Sequence, residues 1–293
     1  MKKLFLILTT SLILAGCASN TPENDGISIV ATSYFTYDFA KAITKEDNVT
    51  LLILPGEDAH SFEPTVKDMV TLEASDLLIY TNDDMEPWVA SQIGVNINKL
   101  DASENITYLS SDHDHDHHHD PHTWTSMKNA ITMVKSIRDA IIAIDPDASE
   151  TYQTNAQALI GELETLDAEY ENVFTNANIE PLIFLGHFGL NYLMHDYHFE
   201  YIALFESMSH ESEPTIEQLT TIIDTINAYD LQYVFVEELS GLKIVETIKE
   251  ETGVTALELN AMHNISKEQY TNGVTFVEIQ KENIKNLRTG LVK

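Results

Sequence analysis

Histidines are concentrated in the stretch HDHDHHHDPHTW, which runs from His113 to Trp124. Six of the 12 histidines in the chain lie within ten residues there. The chain has only one cysteine, so imidazole and carboxylate groups must supply the ligands of any metal site. The composition therefore favours a metal site built from histidine, and either this cluster or isolated histidines elsewhere could form it.

Four histidines share a different placement, because each lies in a loop that the sequence puts at a strand end or a helix start. One of them, His122, closes the histidine-rich stretch. Ligands of open α/β sheets bind beyond the carboxyl ends of the strands, so two histidines from each half of the chain are expected to meet in one cleft. A single histidine is more often a surface or core residue, and it is the shared placement that favours a site. The four are His60, His122, His187 and His263.

Four neutral imidazole nitrogens can hold a zinc ion in a tetrahedron, at about 2.0–2.1 Å from the metal. Imidazole donors favour zinc over manganese, magnesium or calcium, which prefer oxygen, whereas copper, nickel and ferrous iron remain compatible. A catalytic zinc usually keeps one position open for water, and four histidines would close the shell. The donor set therefore favours binding and release of a metal over hydrolysis.

Short apolar runs alternate with helical patterns in both halves of the chain, which predicts mostly parallel sheets covered by helices. The first half carries predicted strands at 27–32, 49–55 and 76–81, and the second half at 182–187, 201–206, 233–238 and 255–260. Predicted helices lie between them, near 37–43, 65–74, 126–144, 215–229 and 242–252. The fold class is therefore α/β, with two lobes that each contain a mostly parallel central sheet flanked by helices.

A long amphipathic segment separates the two sets of strands. Its apolar residues recur at spacings of three and four, which predicts one buried stripe along a helix. Asp145 can cap the start of this helix and Pro146 suits its first turn. A helix of about 27 residues is roughly 40 Å long, enough to join both lobes, although a surface helix or a coiled-coil arm would show a similar pattern. The stripe consists of Tyr152, Ala156, Leu159, Leu163, Leu166, Tyr170 and Val173.

The first residues resemble a bacterial export signal, with two lysines, a short apolar run and small residues that end at Cys17. The letters LAGC resemble a lipobox, which implies that Cys17 is lipidated and becomes the mature N-terminus; an ordinary cleaved signal or a short anchor is the alternative. The predicted division is a signal peptide at 1–17, a tether at 18–26, an N-terminal lobe at 27–144 with a histidine-rich loop at 111–122, a linking helix at 145–178 and a C-terminal lobe at 179–293.

The chain is strongly acidic, with 16 basic and 47 acidic side chains and a formal charge of −31. Such a balance argues against a nucleic-acid partner, whose phosphates require a basic surface. It favours cations near the surface only weakly, because salt screens exposed charges. Solubility of an exposed protein is a sufficient reason for most of this charge.

Successive blocks of the chain resemble, in order, the metal-binding lipoproteins of bacterial ABC importers, in the zinc branch of the cluster A-I solute-binding proteins. The resemblance runs from about residue 27 to the C-terminus and implies two lobes joined by one long helix, which limits hinge motion so that release relies on local loop changes. The blocks are PGEDAHSFEPT, DPHTW, FLGHFGLNYL, ESEPTIEQL, VFVEELSGLKIVETIKEETG and LNAMHNIS.

This resemblance implies that His60, His122 and His187 are metal ligands. It places His263 at the fourth position, where family members vary between an acidic side chain and other donors. Two departures remove potential oxygen donors: Phe188 and Gly189 replace an acidic residue and alanine of many members, and Ala59 stands where some members carry a carboxylate. They leave metal affinity and preference open but remove no ligand.

The remaining histidines of the cluster are expected to be auxiliary. They lie in an Asp-rich run without an apolar anchor, which predicts a mobile segment that binds zinc weakly and in several alternative sets. Asp120 is expected to accept a hydrogen bond from the ring of His122. Metal capture or sensing near the cleft mouth is the favoured interpretation, and a solvated loop without function is the alternative. The auxiliary residues are His113, His115, His117, His118 and His119.

The sequence thus predicts a monomeric, lipid-anchored receptor on the outer face of the cytoplasmic membrane that binds Zn²⁺ and delivers it to an ABC permease. A receptor of the same fold for manganese or iron is the first alternative, against which the four histidines count. A zinc-dependent hydrolase is disfavoured, because the chain has no HExxH helix and no obvious general base beside the four positions. A surface adhesin is the third alternative.

Overall fold

The computed structural model describes residues 26–57, 59–94, 96–109, 119–179, 181–205, 214–238 and 243–292. Cys17 and the histidines at 113, 115, 117 and 118 lie outside these ranges. Within the described ranges, no helix is both long and apolar enough to cross a membrane.

A four-stranded parallel sheet forms the centre of the N-terminal lobe, in the order β2-β1-β3-β4. Its central strand β1 is an apolar run in which every side chain is buried. Such runs are expected where helices cover both faces of a parallel sheet. The strands are β1 (Ile29–Ala31), β2 (Val49–Leu51), β3 (Leu77–Tyr80) and β4 (Lys99–Asp101).

The C-terminal lobe repeats this arrangement, with a second parallel sheet in the order β6-β5-β7-β8. The same topology therefore occurs twice, and in each lobe the loops beyond the strands gather at one edge. The strands are β5 (Leu182–His187), β6 (Tyr201–Phe205), β7 (Tyr233–Val236) and β8 (Thr255–Glu258).

Helices cover the two sheets, and four of them begin with a capping box in which a threonine or serine and a side chain three residues later exchange hydrogen bonds with the backbone. The N-terminal lobe contains α1 (Tyr34–Thr44), α2 (Val66–Glu73), α3 (Pro87–Gln92) and α4 (Met127–Ile144), with a 3₁₀ turn at Thr123–Thr125 before α4. The C-terminal lobe contains α6 (Asn191–Tyr197), α7 (Ile216–Ala228), α8 (Lys243–Thr252), α9 (Lys267–Thr271) and α10 (Phe276–Leu291).

One long helix, α5 (Ser149–Asn176), joins the lobes. Its 28 residues make it about 42 Å long, and it packs against α1 and α4 of the N-terminal lobe and α10 of the C-terminal lobe. All seven residues of the predicted stripe are buried, which confirms the helix and its buried face. The predicted cap is wrong in detail: a 3₁₀ turn at Pro146–Ala148 precedes the helix, and Asp145 makes no side-chain cap but accepts a hydrogen bond from the Tyr152 hydroxyl at 2.6 Å.

The lobes share one apolar core and are joined directly by hydrogen bonds. Trp124 Nε1 donates to the Ala261 carbonyl at 2.7 Å, and the Tyr34 hydroxyl donates to the Val274 carbonyl at 2.7 Å. The Phe276 amide, at the start of α10, donates to Asp38 at 2.8 Å. The two-lobed α/β fold with parallel sheets and a long joining helix, as predicted, is therefore confirmed, and several fixed contacts hold its halves together.

Candidate metal centre

The structure brings the four isolated histidines together between the lobes. One ring nitrogen of each lies within 4.8 Å of the others, and among the described residues these four form the one group of three or more histidine, cysteine or acidic side chains with such spacing. Nε2 of His60 lies 3.3 Å from Nε2 of His122. A regular tetrahedron with zinc–nitrogen bonds of about 2.0–2.1 Å has edges of about 3.3 Å, so this pair of nitrogen atoms already has the spacing that such an ion requires.

One ring nitrogen at this centre has a lone pair or proton with no protein partner. Nε2 of His263 is buried and forms no hydrogen bond, and in the described part of the chain only one other buried side-chain atom, Oδ1 of Asn48, shares this state. A buried polar atom without a partner costs about 1–3 kcal/mol. Because the ring of His263 lies beside the three other imidazoles, with ring centroids 5.4, 4.5 and 5.4 Å away, coordination of a cation would supply the missing partner.

His122 is held by Asp120. Its Nδ1 lies 2.7 Å from Oδ1 of Asp120, and the same oxygen accepts the His122 backbone amide at 2.9 Å. The other carboxylate oxygen accepts a hydrogen bond from Asn191 at 2.6 Å. With Nδ1–H donated to Asp120, the Nε2 lone pair of His122 faces the cleft, as metal binding requires.

His122 is fully buried, and this burial is the main reason why its pKa lies below the ordinary value of 6.5. The neighbouring His263 lowers the pKa further, while Asp120 partly offsets both effects. The ring is therefore neutral at pH 7 and able to donate an electron pair. In the chain, His122 comes after the 3-residue strand β4, which the sequence analysis did not predict, and directly precedes the 3₁₀ turn that begins at Thr123.

His263 depends on a carboxylate that the sequence did not single out. Oε1 of Glu238 accepts the His263 backbone amide at 2.8 Å and lies 3.3 Å from the ring Nδ1, while Oε2 accepts the Ala261 amide at 2.9 Å. Burial lowers the pKa of His263, but the hydrogen bond and the charge of Glu238 outweigh it and raise the pKa above 6.5. The pKa of Glu238 is lowered: burial raises it, and the contacts with His263 more than reverse that effect.

Glu237, beside Glu238, was also missed. Burial, followed by repulsion from Glu238, raises its pKa to about 7. The expectation that no general base stands near the four histidines is thus wrong, because two carboxylates approach the centre. Glu238 already accepts hydrogen bonds from two backbone amides and contacts the His263 ring. These contacts suit a carboxylate that orients His263 better than one that transfers protons. The only sequence signal for these two residues is their position directly after β7, at the end of the segment YVFVEE, where the chain leaves the sheet.

His187 ends β5, as predicted. Phe188 then turns into the core, where it is fully buried and stacks on Tyr201 with ring centroids 3.9 Å apart. Gly189 follows and packs against the ring of His263. The departure noted after His187 therefore contributes an apolar anchor, Phe188, and a close backbone approach, Gly189, beside the ligands.

His60 is the exposed member of the group, while His122 is buried and the other two are partly buried. It lies in the segment between β2 and α2, which has no helix or strand of its own. Gly56 turns the chain there with a φ of 90°, which glycine adopts without strain. The exposed ligand on this loop marks the side of the centre from which an ion can enter, because the other three ligands are buried or partly buried.

The structure does not add His119 to this centre. Its side chain is half-exposed, with Nδ1 at 3.6 Å from Asp84 and the ring centroid 5.1 Å from that of Tyr108. The other four auxiliary histidines lie outside the described residues. The auxiliary role predicted for these five residues stays a prediction.

Residues 29–290 match the family model described as ZnuA, zinc-uptake complex component A, periplasmic. The chain is 30% identical over 306 residues to the zinc-binding lipoprotein AdcA of Streptococcus pneumoniae (strain ATCC BAA-255 / R6), covering 98% of this chain and 61% of AdcA. The chain therefore spans about three fifths of that relative. It is 29% identical over 316 residues to the high-affinity zinc uptake system protein ZnuA of Bacillus subtilis (strain 168), covering 99% of this chain and 97% of the relative.

Solved structures with the same fold include a metal-dependent lipoprotein, YcdH, from Bacillus subtilis, with a TM-score of 0.79 and 28% identity. That match covers 92% of this chain and 100% of the other. The Zn(II)-bound ZnuA-like domain of Streptococcus pneumoniae AdcA matches with a TM-score of 0.77 and 28% identity, over 91% of this chain and 99% of that domain.

Proposed function

We propose that this chain, which belongs to the ZnuA family of zinc-uptake components, is an extracytoplasmic receptor that captures Zn²⁺ between its lobes and passes it to an ABC permease. The observation that carries the proposal is the convergence of four imidazole nitrogens within 4.8 Å of one another. One relative named above is described as zinc-binding and another as a zinc uptake system protein, and one of the matching structures is Zn(II)-bound.

The ion is cargo, and His60, His122, His187 and His263 are the proposed ligands. Asp120 and Glu238 each hold one ring by its Nδ1, which directs the Nε2 atom toward the centre. All four donors are imidazoles, which suits zinc and disfavours manganese. A shell closed by four protein ligands leaves no position for a reactive water, so we propose a receptor without catalytic activity.

Metal content and affinity test this proposal. Protein purified gently at neutral pH should retain about one zinc per chain, and competition with a chromophoric chelator should show a tight site. His60→Ala plus His187→Ala should abolish tight binding, because two of four ligands are lost. His195→Ala is the matched control, since it removes an exposed histidine outside the group. Tight zinc retained by the double variant, or a preference for manganese or iron in the parent, would contradict the proposal.

We further propose that Cys17 carries a lipid that anchors the protein, as a monomer, to the outer face of the cytoplasmic membrane. The support is the LAGC sequence after a short apolar run and the description of AdcA as a lipoprotein. Cys17→Ser should move the protein from the membrane fraction to the soluble fraction while zinc affinity stays constant. Unchanged membrane association would contradict lipidation at this residue.

A further inference from the structure

Asn264 reaches across the cleft from the residue next to His263. Its Oδ1 accepts the Gly56 backbone amide at 2.9 Å, and its Nδ2 donates to the Glu57 carbonyl. One side-chain amide thereby satisfies two backbone groups of the opposite lobe. Both belong to the turn that leads, a few residues later, to the exposed ligand His60.

The C-terminal side of this contact is firmly anchored. Asn260 and Asn283 exchange two hydrogen bonds of 2.8 Å, and Oδ1 of Asn260 accepts the Met262 amide at 2.8 Å. Glu238 holds the next amides, as described above. The loop that carries Asn264 is thus tied to β7 and α10, so Asn264 has a fixed position from which to hold a partner.

The N-terminal side is a compact turn. The Glu57 amide donates to the Leu54 carbonyl at 3.0 Å, and the Glu57 carboxylate accepts the Leu54 amide at 3.0 Å. The turn can therefore move as one unit on the segment between β2 and α2. Displacing it would carry His60 away from the other three ligands.

Separation of whole lobes would break more contacts than displacement of this turn. The bonds of Trp124, Tyr34 and Phe276 to the opposite lobe, described above, lie on the rigid elements, and the shared core runs between them. Movement of the turn at Gly56 requires the loss of the two Asn264 hydrogen bonds and leaves those interlobe bonds intact.

We propose that Asn264 is a positioning residue that clasps the His60 turn to the C-terminal lobe and thereby slows release of the bound ion. This inference rests on the proposed function, since it assigns the rate of metal exchange to one side chain beside the site. Entry and exit of the ion both require the open arrangement of the turn, so the clasp limits the rate of exchange without supplying a ligand.

The test compares Asn264→Ala with the parent in two measurements. Stopped-flow transfer of zinc to excess chromophoric chelator should be about tenfold faster or more, because two of the three hydrogen bonds that this side chain forms hold the turn in place. Amide exchange in the metal-free protein should be faster at Gly56, which loses its acceptor.

Asn286→Ala is the matched control, because Asn286 also donates a side-chain bond to a backbone carbonyl, Glu258, at 2.9 Å, but within the C-terminal lobe. It should leave the release rate and the Gly56 exchange unchanged. Asn264→Asp keeps an acceptor for the Gly56 amide and loses the donor to Glu57, so its release rate should lie between those of the parent and Asn264→Ala. This milder variant also serves if the alanine variant does not fold.

Release at the parent rate in both Asn264 variants would overturn the proposal, whether or not Gly56 exchange changes. Equal acceleration by Asn286→Ala would overturn it as well, because a general loosening would then explain the effect. Failure of the parent to hold zinc would refute the proposed function instead. In that case, Gly56 exchange in the metal-free protein still decides whether the clasp exists.

Discussion

Gly189 lies directly against the imidazole of His263. A methyl group at residue 189 would stand 2.7 Å from Nε2 of His263 and closer still to Cε1, with the Ala261 methyl group at 3.3 Å. Nε2 is the buried atom without a protein partner. The glycine therefore makes room for a histidine at the fourth ligand position.

We expect Gly189→Ala to weaken zinc binding by about tenfold or more. The added methyl group must push the ring aside, and overpacking of this kind costs about 1–3 kcal/mol, of which about 1.4 kcal/mol corresponds to tenfold. Competition titration measures the effect. Gly161→Ala is the control, because that glycine lies in α5 with nothing near the added atom; it should keep zinc affinity and raise stability by roughly 0.5–1 kcal/mol. Unchanged affinity in Gly189→Ala would show that the ring has space elsewhere.

Asp120→Asn should lower zinc affinity by about 10- to 100-fold, the usual effect of removing a carboxylate that holds a ligating histidine. The neutral amide weakens the bond to Nδ1 of His122 and brings a second amide group against Asn191. Isothermal titration compares the variant with Asp76→Asn, which removes a carboxylate that accepts the Ser28 amide in the same lobe. Similar losses in both variants would mean that orientation of His122 is not the cause.

Replacing the auxiliary histidines and replacing His122 should have opposite effects on weak and tight zinc binding. Flexible ligands must be ordered by each ion they bind, which makes their sites weak. Replacing the five auxiliary histidines with alanine should remove weak extra zinc and leave the tight site within about tenfold, roughly 1.4 kcal/mol. His122→Ala should abolish tight binding and keep the weak sites, as resolved by chelator competition; the reverse result would exchange the two roles. The five replaced residues are His113, His115, His117, His118 and His119.

Stability of the metal-free protein should fall as pH rises through the titration of Glu86. This carboxyl group is fully buried, and burial raises its pKa from 4.5 to about 7, although hydrogen bonds from Thr32, Thr81 and Asn82 oppose the shift. Because this pKa is higher in the folded than in the unfolded chain, protonated Glu86 contributes fully to the free energy of unfolding below about pH 4.5. That contribution, roughly 3 kcal/mol, is lost as pH rises through about 7.

Urea unfolding between about pH 5 and pH 8 measures this contribution. Glu86→Gln cannot ionise and should flatten the decline, even if it lowers stability at every pH by disturbing the hydrogen bonds of Glu86. Glu164→Gln, on the exposed side of α5, should keep the slope of the parent. Equal slopes in all three proteins would show that Glu86 titrates alike in the folded and unfolded chain.

The convergence of the four histidines was predictable because parallel strands deliver their loops to a common edge. His187 at the end of β5 and His263 beyond β8 needed only the strand pattern and its direction. The long helix was predictable for a similar reason, since a stripe repeated over seven positions leaves few alternatives.

Two other contacts beside the site, those of Glu238 and Asn264, were not predictable in the same way, whereas Asp120 lies only two residues from His122 and was predicted. Glu238 meets His263 across 25 residues of sequence, and Asn264 meets Gly56 across 208. No local period links such partners, because their proximity is created only when β7, β8 and the opposite lobe have packed. Strand β4 was missed because it has three residues and begins with the exposed Lys99, too short for an alternating pattern.

The shared core described above has a consequence for how the protein unfolds. Buried residues of both lobes, among them Phe35, Leu163 and Phe276, belong to one apolar cluster that runs through α5. Neither lobe can lose its packing without exposing the apolar surface of the other, so we expect a single cooperative heat-capacity peak in calorimetry, as for one domain. Fragments cut at α5 should not fold separately, and the two halves of the metal centre would then form in the same folding event.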